Sequence, residues 1–232
     1  MIKMKQYLSL GGGVNSTALL LLLKKQNIEF ETIFVNHETD LPETYKYIEY
    51  LKKKGFKITE IKPNYGGYSS LYEYCKFRKF LPSIYLRWCT YRFKLQPIWN
   101  FVEKPCIMFI GISYDEKRRT LTKEQYGKKY KKARGITPKY PLVERHLTRN
   151  DCIKIIKKAK LKIPIKSGCW ICPYQSPKNL KELYIKHRDL FEKLMELEKI
   201  RGNAHTLKKR PVQYYVPWGM KPLNHYCDEL EK

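Results

Sequence analysis

Ser9-Leu10-Gly11-Gly12-Gly13-Val14-Asn15-Ser16-Thr17 is the stretch on which the reading of this chain turns. Just upstream, Gln6 to Leu10 is short and apolar-rich, as a buried strand is. Downstream, Ala18 to Leu23 is apolar on every side before Lys24 and Lys25, as a buried helix is. Three glycines between a strand and a helix put backbone N–H groups at a helix N-terminus, where they cradle phosphate. Ser16 and Thr17 add hydroxyl donors. No lysine stands in the turn, so this is not Gly-x-x-x-x-Gly-Lys-Ser/Thr, and it is not Gly-x-Gly-x-x-Gly either. A tight turn that only lets strand and helix pack closely is the bland alternative; the strand–loop–helix context favours phosphate.

Outward from the loop, strands and helices alternate. Ile28 to Val35 reads as a second strand ending at Asn36-His37-Glu38, and Pro42 opens a helix that runs to about Lys54 before Gly55. Lys57 to Lys62 is a third strand, and residues 64–88 are irregular and aromatic. Thr90 to Glu103 reads as a helix despite Pro97, and Cys106 to Ile110 as a fourth strand ending at Gly111. This alternation predicts an α/β fold, a doubly wound parallel sheet with ligands at the carboxyl ends of its strands. Residues 113–140 read as a polar loop, and Thr148 to Lys160 as a helix. Leu180, Leu183, Leu190, Leu194, Leu197 and Ile200 form one face of a single longer helix. The expected plan is a nucleotide-binding domain over 1–145 and a helical cap over 146–232.

With 47 Lys and Arg against 22 Asp and Glu in 232 residues, the formal charge is +25. Such an excess points to a polyanion partner, most commonly nucleic acid, although a lysine-rich surface from a biased genome gives the same number. The 43% hydrophobic content excludes wholesale disorder. The apolar run Ala18–Leu23 is far short of the ~18 residues a membrane span needs, and the glycines before it speak against a signal peptide. A soluble cytoplasmic protein without a membrane partner is therefore expected. Seven cysteines, with Cys169-x-x-Cys172 the one close pair, fit thiols plus a metal or cluster site better than a secreted disulfide scaffold.

The loop resembles the PP-loop of the N-type ATP pyrophosphatases, whose usual form is Ser-Gly-Gly-x-Asp-Ser, in the branch of enzymes like phosphoadenosine phosphosulfate reductase. Asn36-His37-Glu38-Thr39-Asp40-Leu41-Pro42-Glu43-Thr44 is similar to that branch's Glu-x-Pro-Glu-Thr region. Arg87-Trp88-Cys89-Thr90, with Lys94 and Pro97, is similar to its Arg-x-Cys-Thr…Lys…Pro block. Gly111 through Arg119 resembles Gly-x-Arg-x-x-Glu…Arg, and Tyr140-Pro141-Leu142 and Ser167-Gly168-Cys169-Trp170-Ile171-Cys172-Pro173 also recur there. The blocks run in order over roughly residues 6–200. Gly11 stands where the family has Ser, Asn15 where it has Asp, and Asn36 where an acid usually ends the second strand. The carboxy-terminal Glu-Cys-Gly nucleophile of the reductases is absent.

The resemblance implies ATP and magnesium, with nucleotide held by Ser9, Gly11, Gly12, Gly13, Asn15, Ser16, Thr17, Asn36 and Gly111. Asp115, Glu116 and Arg119 are the candidate catalytic groups. Cys169 and Cys172 need further ligands for a tetrahedral site, and Cys89 and Cys227 are the candidates. Four thiolates suit a [4Fe–4S] cluster, as in sulfur-transfer relatives, or structural zinc. Arg118, Lys128, Lys129, Lys131, Lys132 and Arg134, interleaved with Tyr126 and Tyr130, suit contacts to a phosphate backbone and stacking on bases. The implied reaction adenylates an acceptor, DNA or tRNA, for sulfur insertion, with a sulfur donor such as a cysteine desulfurase as partner. Two alternatives stand beside it: reduction of an adenylylated sulfate ester, and a non-catalytic nucleic-acid-binding module on a decayed nucleotide fold.

Overall fold

The computed structural model describes residues 4–83, 86–165, 167–206 and 223. In chain order the elements are β1 (Lys5–Ser9), α1 (Val14–Lys25), β2 (Glu31–Val35), α2 (Pro42–Lys53), β3 (Thr59–Ile61) and α3 (Leu71–Arg78). A wide-turned π-helix over Thr90–Leu95 leads into α4 (Gln96–Phe101). Then follow β4 (Cys106–Ile110), a 3-10 turn over Tyr114–Arg119, α5 (Lys123–Lys129), β5 (Ile136–Lys139) and the single turn α6 (Pro141–Glu144). Three further helices are α7 (Arg149–Lys158), α8 (Pro177–Lys186) and α9 (Arg188–Thr206). The five strands form one sheet in the order β3-β2-β1-β4-β5, and every pairing is parallel. This is the expected doubly wound α/β class.

Contacts divide the chain into two compact units: residues 1–36, 41–63 and 94–167, and residues 37–40, 64–93 and 168–232. The first holds the sheet. Its core gathers on α1, of whose twelve residues Val14 through Leu20 and Leu23 are buried. Leu8, Leu10, Phe34, Ile48, Leu51 and Phe109 pack around it, as do Leu142, Cys152 and Ile156. Helix α7, beyond residue 145 in the chain, packs along α1 in this unit. All-round burial is why α1 carries leucines on every face instead of one stripe. The second unit holds α3, α8 and α9, joined by the contact of α3 with α9 and of α8 with α9.

Several elements differ from the sequence expectation, among them the helix α5 and the 3-10 turn before it, both within the stretch read as polar loop. Ile136–Lys139 is a strand, not loop; Pro138 masks it in sequence, and proline is tolerated because β5 is the edge of the sheet. Leu71–Arg78 is helical within the stretch read as irregular, with the Ser70 side chain accepting from Glu73 N–H at its start. The long helix expected beyond Leu180 is two, because the chain leaves helical geometry at His187 (φ −141°, ψ 60°). No helix among the described residues is long and apolar enough to cross a membrane.

Candidate nucleotide site

The strand order reverses between β1 and β4, so the connections after these two strands diverge and leave a crevice at their carboxyl ends. Ser9 pairs in register with Ile110, so Gly11 and Gly111 both emerge within two residues of the strand ends. Gly12 is left-handed (φ +67°), and a Cβ there would lie 2.7 Å from the Thr44 methyl and near Ile48. The Pro42-Glu43-Thr44 block is thus the floor under the loop, with Pro42 at the first position of α2. A Cβ on Gly111 would lie 2.8 Å from both N and Cα of Ser16, and one on Gly13 would meet the Ser167 hydroxyl. Glycine at these positions lets the β4 turn and residue 167 close around the loop.

Gly13 caps α1 with extended backbone (φ −103°, ψ 176°) and no side-chain cap. The helix's own ladder begins with Thr17 N–H donating to Gly13 C=O at 3.0 Å, so the N–H groups of Val14, Asn15 and Ser16 have no partner within the helix. The Ser16 hydroxyl donates to Gly13 C=O and accepts from Gly11 N–H, both at 3.2 Å, which holds the loop's curvature. An open helix N-terminus with positive dipole and no acid in its first turn is built for an anion.

A polar relay lies beside this helix start. Asn15 Nδ2 donates to Ser113 Oγ at 2.9 Å and to Glu116 Oε2 at 3.3 Å. Arg119 pairs with Glu116 from one turn on. Asp115 accepts from the Ser113 hydroxyl, from its own backbone N–H and from Arg149 N–H. In that order these hold its carboxyl below the usual range. Asn15 Oδ1 is buried with no hydrogen-bond partner among the described residues. Asn15 and Ser113 are themselves buried, whereas Arg119 is exposed.

The structure brings Gly11, Gly12, Gly13, Asn15, Ser16, Gly111, Glu116 and Arg119 together. Thr17 is buried one turn into α1, and Ser9 ends β1. Asn36 points its amide at Glu60 on β3 (2.7 Å), a bond that with Lys52 keeps the Glu60 carboxyl below its ordinary range. Asp115 is engaged at the start of α7. Ser113 and Ser167 are the residues that sequence reasoning left out of the site. Ser113 stands at the arginine position of the Gly-x-Arg pattern, so its residue type gave no signal. Ser167 opens a quoted block but carries no chemistry of its own in sequence.

The metal ligand set does not assemble among the described residues. No group of three or more His, Cys, Asp or Glu there is placed to hold a metal ion, and Cys227 lies outside the described residues. Cys169 Sγ donates to Thr39 Oγ1 at 3.2 Å, and Trp170 N–H donates to Thr39 C=O at 2.9 Å. His37, fully buried, brackets the same turn: its Nδ1 is 2.7 Å from Thr39 Oγ1 and its Nε2 is 3.3 Å from Asp40 Oδ2. The Cys-x-x-Cys turn is therefore anchored to the 37–40 segment by hydrogen bonds.

The basic stretch separates into two places. Arg118 belongs to the turn after β4, on the side of the loop. Lys128, Lys129, Lys131, Lys132 and Arg134 are exposed at the opposite, amino-terminal edge. Gly135 C=O there accepts from Cys106 N–H, at the start of β4, and Lys104 Nζ reaches Lys132 C=O. A five-residue strand separates the edges by about 15 Å. A cavity of about 340 Å³ at that edge is lined by Lys123, Lys128 and Arg134 among others; it lies away from the loop. Tyr126 is not available to bases: it is buried, its hydroxyl accepts from Trp99 Nε1 at 3.1 Å, and burial pushes its pKa up to about 12. Tyr130 packs on the same Trp99 ring.

The sequence model of the phosphoadenosine phosphosulfate reductase domain matches residues 5–165. Among solved structures, the chain is similar to phosphoadenylyl-sulfate reductase from Candida auris in its phosphate complex. Identity is 15% over 73% of this chain and 83% of that one, with a TM-score of 0.53. It is also similar to a predicted subunit of tRNA methyltransferase from Methanocaldococcus jannaschii, at 18% identity over 69% of this chain and 90% of that one, with a TM-score of 0.40. No curated protein matches.

Proposed function

Because this chain belongs to the phosphoadenosine phosphosulfate reductase domain family, we propose that it is an ATP pyrophosphatase that adenylates a nucleic acid acceptor for sulfur insertion. One observation carries the reading: the open N-terminus of α1 faces the crevice at the strand-order reversal, with Gly111 closing the other wall. The N–H groups of Val14, Asn15 and Ser16 hold the phosphates. An acceptor oxygen attacks the α-phosphorus, forming one O–P bond as the bond to the β-phosphate oxygen breaks, and pyrophosphate leaves with its charge on the loop and Arg119. A sulfur nucleophile from a separate donor then displaces AMP.

Magnesium fits this donor set. Glu116, already held by Asn15 and Arg119, would offer one carboxylate beside the loop, and the buried Asn15 Oδ1, without a hydrogen-bond partner among the described residues, would offer a neutral oxygen. The metal would neutralise charge on the phosphates. Asn15 keeps Glu116 in place by donating to it, a role the family's aspartate at this position has no proton to play. The net charge of +25 supports a nucleic acid acceptor.

A second reading, reduction of an adenylylated sulfate, is favoured by the description of the matched family. One experiment separates them. Protein purified without oxygen is given ATP with DNA, tRNA or neither, and AMP and pyrophosphate are measured. In parallel it is given phosphoadenylyl sulfate with a dithiol, and sulfite is measured. Nucleic-acid-dependent AMP release is the expected result; sulfite without AMP release supports the reductase. ATP binding with neither product identifies a binding module.

A further inference from the structure

The described residues of the aromatic segment 64–93 pack in layers. Phe93, fully buried, is the base. Tyr74 and Trp88 pack on it with ring centroids at 5.5 and 6.2 Å, and Tyr74 and Trp88 touch each other at 5.3 Å. On this middle layer lies an outer one. Phe80 stacks on Trp88 at 5.6 Å with planes 17° apart. Phe77 lies on Tyr68 at 5.3 Å, and Tyr68 is in edge contact with Tyr74. The outer rings face water: Phe77 is 63% exposed, and Phe80 and Leu86 are exposed with it. Large rings held from below and bare above form a rigid apolar platform rather than scattered surface hydrophobics.

The charge around the platform is one-sided. Residues 64–93 contain Lys76, Arg78, Lys79, Arg87 and Arg92 against the single acid Glu73. Glu196, from α9, takes up Lys76. Exposed Arg87 lays its guanidinium 4.9 Å from the centre of exposed Tyr174, which adds a further flat, cationic face. Lys79 ends α3 in left-handed backbone (φ 50°) and is exposed directly before Phe80. A protein partner's apolar face would gain nothing from this cationic rim. A strand with unpaired bases meets both features at once, its bases stacking on the rings and its phosphates reaching the arginines and lysines. A duplex keeps its base faces covered and uses only the charge.

We propose that Phe77 and Phe80, with Lys79 and Arg87, form a stacking site for single-stranded nucleic acid or for bases turned out of a duplex. This rests on the nucleic acid reading above and narrows it to an acceptor whose bases are unpaired.

The test is fluorescence anisotropy on the full chain, with a fluorescein-labelled oligothymidylate of about 20 nucleotides, the matching oligouridylate, and a mixed-sequence duplex of the same length. Single strands are expected to bind more tightly than the duplex. Phe77→Ala/Phe80→Ala should weaken single-strand binding by roughly ten- to a hundredfold while leaving duplex binding and the salt slope unchanged. Phe77→Tyr/Phe80→Tyr keeps the rings and should bind like the wild type, which separates stacking from misfolding. Equal loss on duplex and single strand, or no loss on either, overturns the site. So does an alanine variant whose only change is a lost oligomer or lost binding to vesicles of anionic phospholipid. AMP release that depends on nucleic acid but ignores Phe77→Ala/Phe80→Ala removes this site and leaves the enzymatic reading standing. Ring-dependent strand binding without AMP release does the reverse.

Discussion

A methyl group at residue 111 has nowhere to go, since the Ser16 backbone lies 2.8 Å from where it would sit. Backbone inside a helix start cannot step aside as a side chain can, so Gly111→Ala should cost about 1–3 kcal/mol in chemical denaturation. It should also lower ATP affinity by displacing the N–H groups of Asn15 and Ser16. Asn15 is the second position where one atom decides. Its Nδ2 is the donor to Ser113 and Glu116, and Asn15→Asp replaces it with a carboxylate facing another. That change matches the family pattern yet should destabilise by about 1–3 kcal/mol. Adding Glu116→Gln should recover most of the loss in a double-mutant cycle. An Asn15→Asp variant of undiminished stability would show that Glu116 turns away. The sequence marks Asn15 as a departure that removes a carboxylate from beside the phosphate; the partner that makes an amide fit lies about a hundred residues on.

Thr148 and Asp151 form a reciprocal cap at the start of α7: Thr148 Oγ1 accepts from Asp151 N–H, and Asp151 Oδ2 accepts from Thr148 N–H and from its hydroxyl. Those bonds, ahead of Lys154, pull the Asp151 carboxyl from its ordinary 3.8 to about 2. The unfolded chain then binds the proton first as pH falls, so the cap's stabilisation is complete above about pH 4. It is lost between there and about pH 2. Asp151→Asn should flatten the acid limb of the stability curve in that window, read by thermal melts from pH 5 to 2. Thr148→Ala should cost about 1 kcal/mol at neutral pH. Caps of this kind are legible in sequence because donor and acceptor are three residues apart. The wide turn at Thr90–Leu95 is not: Pro97, second in α4, supplies no N–H, and the chain absorbs this by widening the preceding turn instead of breaking.

Across the molecule, the basic residues of 128–134 lie at the amino-terminal edge of the sheet, while the loop lies at the carboxyl edge. That placement is too far from the loop for them to grip a triphosphate there, and under the proposed function they serve a long polyanion instead. Replacing Lys128, Lys129, Lys131, Lys132 and Arg134 by alanine should reduce the slope of log affinity against log salt by about 0.9 for each duplex phosphate released. The Kd for ATP should not change. A lowered ATP affinity in that variant would place the segment at the nucleotide instead. Local chemistry determined much of this protein from its sequence alone. Alternating apolar runs encode the parallel α/β sheet, and three glycines after the first strand encode the tight loop that opens α1, because turn, cap and periodicity are set within a few residues. What only the tertiary structure decided depends on burial and long-range pairing. Pro138 is acceptable since β5 is an edge, and Tyr126 is removed from any nucleic acid surface because Trp99 covers it. Cys169 is tied to Thr39, and Phe77 and Phe80 are left exposed. Exposure and partnership are properties of the whole packed chain, and no window of sequence contains them.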